Sequence, residues 1–409
     1  MKPPVPATRR DFLELLAGAT IAPALAPLLG GRARAASLKG REEGVIATLP
    51  FVGEGTFPLE TTLGAGLGRR RALDLSTLSS VAPVVPQERF FIRTGCPDRL
   101  PAAASWRVRV HGLVDAPAEI AIEELERQAV PFGLHLLECA GNSRAAHFGL
   151  ISAAEWTGVP IARVLERVRP GRRATQVLVS GFDEHGAADP ISVPGASWIF
   201  GLEQILESGA FLATRMNGAP LGLDHGHPLR LVVPGWYGCT AIKWVNEIAL
   251  VDDEAPATDQ MREYAGRTHQ DAVGPRDEAL VRTGRRPEGP PRARDFRPAA
   301  IDPAAVPVRV EKIAAAGGGI SYRIVGIRWG GGRTADPGLR IRVGSESRFV
   351  PVEETAGGSP GSWSFWSYTF RPKAPGRHRI DLVLRDPAVR TRRLDMRYYA
   401  REIEIETVS

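Results

Sequence analysis

Cys139 stands in the run Leu136-Leu137-Glu138-Cys139-Ala140-Gly141-Asn142-Ser143-Arg144, at the point where an apolar stretch gives way to a short polar loop. A soft thiolate in such a loop is a donor that metal cofactors take, so Cys139 is a candidate metal ligand. Two other readings compete with it. A buried cysteine is most often a small hydrophobe, and a thiolate beside His147 and Asn142 would make a cysteine hydrolase that needs no metal. The chain has three cysteines, enough for one disulfide and one free thiol; the spacing of Cys96 and Cys239 decides nothing about whether they pair. A second group of reactive types lies in Asp224-His225-Gly226-His227-Pro228-Leu229-Arg230 and in Ile242-Lys243-Trp244. The pair His225 and His227 lacks a further His or Cys at a spacing that would complete a zinc site. Arg230 and Lys243 alternate on apolar runs, where the plain reading is a solvated strand face.

The elements that must position these residues follow from periodicity. Residues 106–111 alternate as a strand, 120–127 read as a short helix, and 134–137 form a short apolar strand ending at the Cys139 loop. Residues 161–168 read as a helix opened by Pro160, 176–180 as a strand, and 229–234 and 241–251 as two more strands around a Gly-Cys loop. Strands and short helices without a regular βαβ alternation predict an α+β domain. Residues 267–305, with Arg-Pro-Glu-Gly-Pro-Pro-Arg-Ala-Arg over 286–294, have the composition of a linker. Beyond it, short alternating runs at 306–313, 320–329, 339–343, 362–370, 378–384 and 398–405 predict an immunoglobulin-like β-sandwich that lacks a cysteine pair. Residues 37–85, rich in Gly, Pro and small side chains, read as an extended arm on the body. The expected organisation is therefore an N-terminal segment 1–36, an arm 37–85, a mixed α/β catalytic domain 86–266, a linker 267–305 and a sandwich 306–409.

The N-terminal segment places Thr8-Arg9-Arg10-Asp11-Phe12-Leu13 before an apolar run and then Ala33-Arg34-Ala35-Ala36. That order of charge, apolar stretch and small residues is the pattern of a twin-arginine signal peptide, cleaved near Ala35 or Ala36, and predicts a periplasmic protein with no membrane span after cleavage. Of the net charge of +6, half lies in that segment, leaving about +3 on the remainder, a weak electrostatic footprint that argues against nucleic acid as a partner. With 409 residues, 43% hydrophobic and 24% charged, the chain has room for two cores and is neither disordered nor membranous as a whole.

Taken in order, Phe90-Phe91-Ile92-Arg93, the Glu138–Arg144 loop, Glu155-Trp156-Thr157-Gly158-Val159-Pro160, Asp224–Arg230, Val233-Pro234-Gly235-Trp236 and Ile242-Lys243-Trp244 resemble the sulfite oxidase family of molybdopterin enzymes. The resemblance spans most of the chain after residue 36, and the C-terminal sandwich is similar to that family's dimerisation domain. It implies Cys139 as the protein ligand of molybdenum, Arg93 and Arg144 as arginines framing an oxyanion pocket, and Tyr264 as a phenol beside the metal. It implies His225, Arg230 and Lys243 as contacts of the pterin and its phosphate, with Asp183 and Ser192 in a region similar to a pterin-contacting loop. The implied activity is oxidation of a sulfur oxyanion, sulfite to sulfate, with a molybdenum-molybdopterin cofactor in a homodimer. Related alternatives are the sulfane dehydrogenase subunit of a thiosulfate-oxidising system and a sulfoxide reductase; a non-catalytic binding protein is the bland one. Two departures stand out. Gly95 occupies the place where many sulfite-oxidising members carry a His, and a family arginine near the C-terminus has only Arg392 or Arg393 as counterpart. The sequence shows no Cys-x-x-Cys-His haem motif, so electrons are expected to leave for a separate acceptor such as a c-type cytochrome.

Overall fold

The alternation in Arg107–Gly112 becomes a strand whose Val108 and Val110 are buried while Arg107 and Arg109 face solvent, as a two-residue period requires. In the computed structural model, which describes residues 44–183, 195–268, 270, 291–314, 318–331, 338–354, 361–385 and 392–406, it belongs to a five-stranded sheet. The order is Ala118–Ala121, Arg107–Gly112, Val245–Val251, Gln176–Gly181 and Ser197–Gly201. Only the pair Arg107–Gly112 with Val245–Val251 is parallel. A second, antiparallel sheet runs Ala219–Pro220, Phe211–Met216, Ile151–Pro160 and Val130–Glu138, with Arg230–Val232 also paired to Phe211–Met216.

Short helices close these sheets. Ile161–Val168 starts after Pro160 and buries Ile161, Val164, Leu165 and Val168, the spacing of one helical face. Arg169 then turns left-handed, at φ 53°, and ends it. The strand expected over 241–251 is shorter, Val245–Val251. Residues Gly238–Thr240 form a 3-10 turn and Trp244 adopts φ 53°, which breaks the ladder and leaves Lys243 in a cavity wall instead of on a strand face.

The expected sandwich is two antiparallel five-stranded sheets, and the arm supplies a strand to each. One sheet is ordered Val45–Leu49, Ala304–Ala314, Ile320–Trp329, Ser364–Phe370 and Glu353–Glu354. The other is ordered Val350–Pro351, Leu339–Val343, Gly376–Leu384, Arg401–Ile405 and Phe51–Val52. The described part of the arm therefore does more than lie on the body: Val45–Leu49 pairs with Ala304–Ala314 and Phe51–Val52 with Arg401–Ile405. A buried ion pair fixes it there. Arg401 Nε and Nη2 donate to Glu54 at 3.1 and 3.0 Å, and the guanidinium stacks on Phe51 at 3.8 Å.

The stretch 267–305, expected as a coreless linker, is packed over 291–305. Ala293, Ala299 and Ile301 are buried, and the backbone pairs Tyr237 N to Ala299 O, Ala257 N to Pro291 O and Ile301 N to Gly235 O tie it to the catalytic domain. Its small side chains allow that close approach. One contiguous apolar core runs from Ala72 to Ile405 across both domains. The expected signal peptide and Ser192 lie outside the described residues. Among the described residues no helix is long and apolar enough to cross a membrane.

Candidate active site

Cys139 is the first residue after the strand Val130–Glu138, and its amide donates to Leu150 O at 2.9 Å, so the sheet carries the backbone up to the thiol. The loop then turns sharply: Asn142 N returns to Cys139 O at 2.9 Å, and Gly141 N points at Cys139 Sγ at 3.3 Å. Asn142, wholly buried, locks the turn by accepting from Leu150 N at 3.1 Å and donating to Glu138 at 3.3 Å.

The thiol opens into a cavity of about 810 Å³ including its mouth, which brings together seven of the residues expected at the site: Arg93, Cys139, Asp183, His225, Arg230, Lys243 and Tyr264. Tyr264 ends the helix Asp259–Tyr264, which Thr258 caps by accepting from Met261 N at 3.2 Å. Burial, and the nearby Cys139, push its phenol above the ordinary tyrosine range, so it is a donor at any physiological pH.

At the other end the cavity is strongly cationic. Arg230 is buried beneath Trp156, and donates through Nη1 to His225 O at 3.0 Å and Nη2 to Ala241 O at 3.3 Å, while its Nε has no partner. Burial lowers its guanidinium to about 9. Lys243 Nζ donates to Asp224 O at 3.0 Å and to Thr94 O and lies over Trp244; burial, then Arg230, bring it down to about 7. His225 is held near 3 by burial and by Arg230 and Lys243. It is therefore neutral, and its 3.0 Å contact with Gln87 O requires the proton on Nε2, because a carbonyl only accepts. Asp183 Oδ2 accepts from Ala196 N at 3.0 Å.

These groups answer the requirements of a phosphorylated pterin. Cations held at a desolvation cost, with a buried guanidinium N–H lacking a partner, are what an anionic group completes. Arg230, Lys243 and His225 would hold the phosphate and pterin end, and Cys139 the metal.

Arg144 is placed elsewhere. The 3-10 turn Arg144–Ala146 carries its guanidinium away from the cavity to the carbonyl of Ala400, and its own carbonyl accepts from Gly55 N at 3.3 Å. Instead, a neighbouring vestibule of about 1360 Å³ on the same measure is lined by Arg70, Arg93, Arg267 and Arg393 together with Gly141 and Ser143. Arg93 belongs to both spaces. Arg267 lies over the Tyr264 ring at 5.2 Å, and a methyl on Gly141 would touch both Arg267 Nη1 at 3.6 Å and Cys139 Sγ at 3.7 Å. Of the two C-terminal arginines, Arg393 reaches the Cys139 loop, donating to Glu138 Oε1 at 3.0 Å. Sequence reasoning missed Arg267, Glu263, Gln260 and the role of Arg393. It also left open Cys239, which is a buried free thiol in the same cavity; Cys96 and Cys139 are free as well.

Residues 95–258 match the family model described as oxidoreductase molybdopterin binding domain. The chain is similar to sulfite oxidase of Gallus gallus, 32% identical over 206 residues, which are 45% of this chain and 43% of that protein. It is also similar to a nitrate reductase [NADPH] of Leptosphaeria maculans, 31% identical over 246 residues, 56% of this chain and 26% of that protein. The chain thus spans less than half the length of these curated relatives. In fold it is similar to the sulfane dehydrogenase SoxCD from Paracoccus pantotrophus, with a TM-score of 0.56 and 18% identity over 91% of this chain and 88% of that one. The thiolate loop, the cationic cavity and these likenesses agree: residues 95–258 are a molybdopterin-binding oxidoreductase domain, and the chain is similar to sulfite oxidase.

Proposed function

We propose that this protein oxidises a small sulfur oxyanion, sulfite to sulfate, and passes the electrons to a separate acceptor. One observation carries the reading: a single cavity brings Cys139 and Tyr264 together with the cationic group Arg230 and Lys243, and shares Arg93 with an arginine-lined vestibule. When bound, the molybdenum-molybdopterin group supplies oxygen-atom transfer and takes up two electrons. The balance is sulfite plus water to sulfate, two protons and two electrons.

The chain's own residues do the rest. Arg93 and Arg267 attract and orient the dianion by planar, charge-assisted forks, in place of the Arg144 expected from the sequence. Tyr264, kept protonated by burial, donates to a substrate oxygen and fixes its distance from the Cys139 side. A second reading, a sulfane bound to a larger group, is favoured by the breadth of the vestibule, whose walls include Phe57, Met396 and Tyr398. A c-type cytochrome as acceptor, export by the twin-arginine route to the periplasm and a homodimer complete the proposal. Ferricyanide-coupled turnover of loaded enzyme with sulfite and with thiosulfate, and turnover of methionine sulfoxide with a reduced viologen dye as electron donor, test it. Sulfite turnover with a saturable, salt-sensitive KM is expected; turnover confined to another substrate would overturn the sulfite assignment.

A further inference from the structure

Glu138 is wholly buried, one residue before the thiolate, and takes no part in the chemistry above. A carboxylate in that position is tolerated only if it is fully partnered. Its partners come almost entirely from the C-terminal domain. Trp329 Nε1 donates to Oε2 at 2.7 Å; Arg393 Nη1 and the Tyr399 hydroxyl donate to Oε1, each at 3.0 Å; Asn142 Nδ2 adds a fourth contact at 3.3 Å.

The grip continues along the loop. Arg393 Nη2 donates to Ala140 O, and the Tyr398 hydroxyl to Asn142 O at 2.7 Å. Residues 138, 140 and 142 are thus held from the C-terminal side, while Cys139 and Gly141 line the cavity and vestibule. Arg393 is itself buried between the rings of Tyr237 and Tyr398, at 4.9 and 5.3 Å.

We propose that Glu138 is a positioning residue, and that through it Trp329, Arg393 and Tyr399 of the C-terminal β domain set the orientation of the Cys139 thiolate. This rests on Cys139 as the metal ligand. A cluster of apolar side chains could stabilise the same interface as well. What four directed hydrogen bonds add is a fixed angle for the loop, and a sub-ångström change at a ligand alters the chemistry it supports.

The test uses the full chain carrying Glu138→Gln and, separately, Tyr399→Phe, which removes a single hydroxyl. In the cofactor-loaded protein, Glu138→Gln is expected to lower kcat at least tenfold with KM within twofold at wild-type molybdenum content, and to shift the visible thiolate-to-metal absorption band. In the cofactor-free protein, amide exchange at Cys139, Gly141 and Asn142 is expected to rise about tenfold, with strands Ile320–Trp329 and Arg401–Ile405 unchanged. Tyr399→Phe should move the same readouts about threefold. A loaded variant with wild-type kcat and an unshifted band overturns the proposal, as does unchanged loop exchange. Should Glu138→Gln not fold, Tyr399→Phe decides by the same criteria. Because exchange is read without metal, a wild type that binds no molybdenum would count against the cofactor reading separately.

Discussion

Replacing Lys243 with Met separates what the cationic cavity costs from what it is for. In the cofactor-free chain the Lys243 ammonium has been brought from its ordinary value of 10.5 to about 7, chiefly by burial. Between those values the unfolded chain binds a proton that the folded chain does not, so stability rises with pH across that window and the penalty is largest below about pH 7. At pH 7.5 the full differential is on the order of 4 kcal/mol, from about 1.4 kcal/mol per pKa unit. Lys243 lines a cavity that admits water, and its hydrogen bonds to Thr94 O and Asp224 O return part of the cost. The expected gain on removing the charge is therefore about half, ~2 kcal/mol, falling toward zero near pH 10. Met keeps an unbranched stem over Trp244, so packing changes little. The assay is urea unfolding of cofactor-free wild type and Lys243→Met at pH 6, 7.5 and 9.5, together with the pterin content of each protein purified from cells making the cofactor. Stabilisation that shrinks as pH rises, with pterin content falling at least tenfold, is the expected pair of results. A variant destabilised at every pH, or one retaining full pterin, would refute the assignment of Lys243 as an anion-binding group held at a stability cost.

Further expectations follow from the same geometry. Arg267→Gln should raise KM for sulfite about tenfold, equivalent to ~1.4 kcal/mol, with a smaller change in kcat, whereas Arg144→Gln, whose guanidinium contacts Ala400 O, should leave KM within twofold; steady-state kinetics distinguishes them, and the reverse order would restore Arg144 to the pocket. His225 has a folded value of about 3 against an ordinary 6.5. Its contribution to stability is therefore present above about pH 6.5 and lost as pH falls toward 3, and acid titration of His225→Gln should be flatter than wild type over that window. Glu54→Gln leaves buried Arg401 without its carboxylate and should cost about 3 kcal/mol, measured as a lower urea midpoint; an unchanged midpoint would show that the arm is not anchored by this pair.

How far the sequence reached depended on whether a residue's role is set locally. Cys139, His225, Arg230 and Lys243 stand in runs whose apolar neighbours fix a strand or turn, and the cavity gathers all four. Arg144 shows where this stops. Its closeness to Cys139 in sequence says nothing of direction, and a single 3-10 turn sends its side chain to Ala400. Trp329 and Arg393 reach Glu138 across 191 and 255 residues, and nothing in the periodicity of either segment reports such a meeting. The two sandwich strands in the arm were invisible for another reason. Val45–Leu49 is an edge strand, exposed along nearly its whole length, so it lacks the alternation by which a half-buried strand is recognised. Likewise, the Pro- and Arg-rich composition of 286–297 described solubility but hid the apolar side chains within and just after it, Ala293, Ala299 and Ile301, that are buried against the rest of the chain.

The central claim is that Cys139 presents its thiolate to molybdenum in the cavity that Lys243 and Arg230 close at the far end. X-ray absorption at the molybdenum edge, with metal content, on wild type and Cys139→Ser tests it most directly. The account predicts about one molybdenum per chain in the wild type and the loss of one sulfur from its coordination shell in the variant. An identical sulfur count in the two proteins would contradict it.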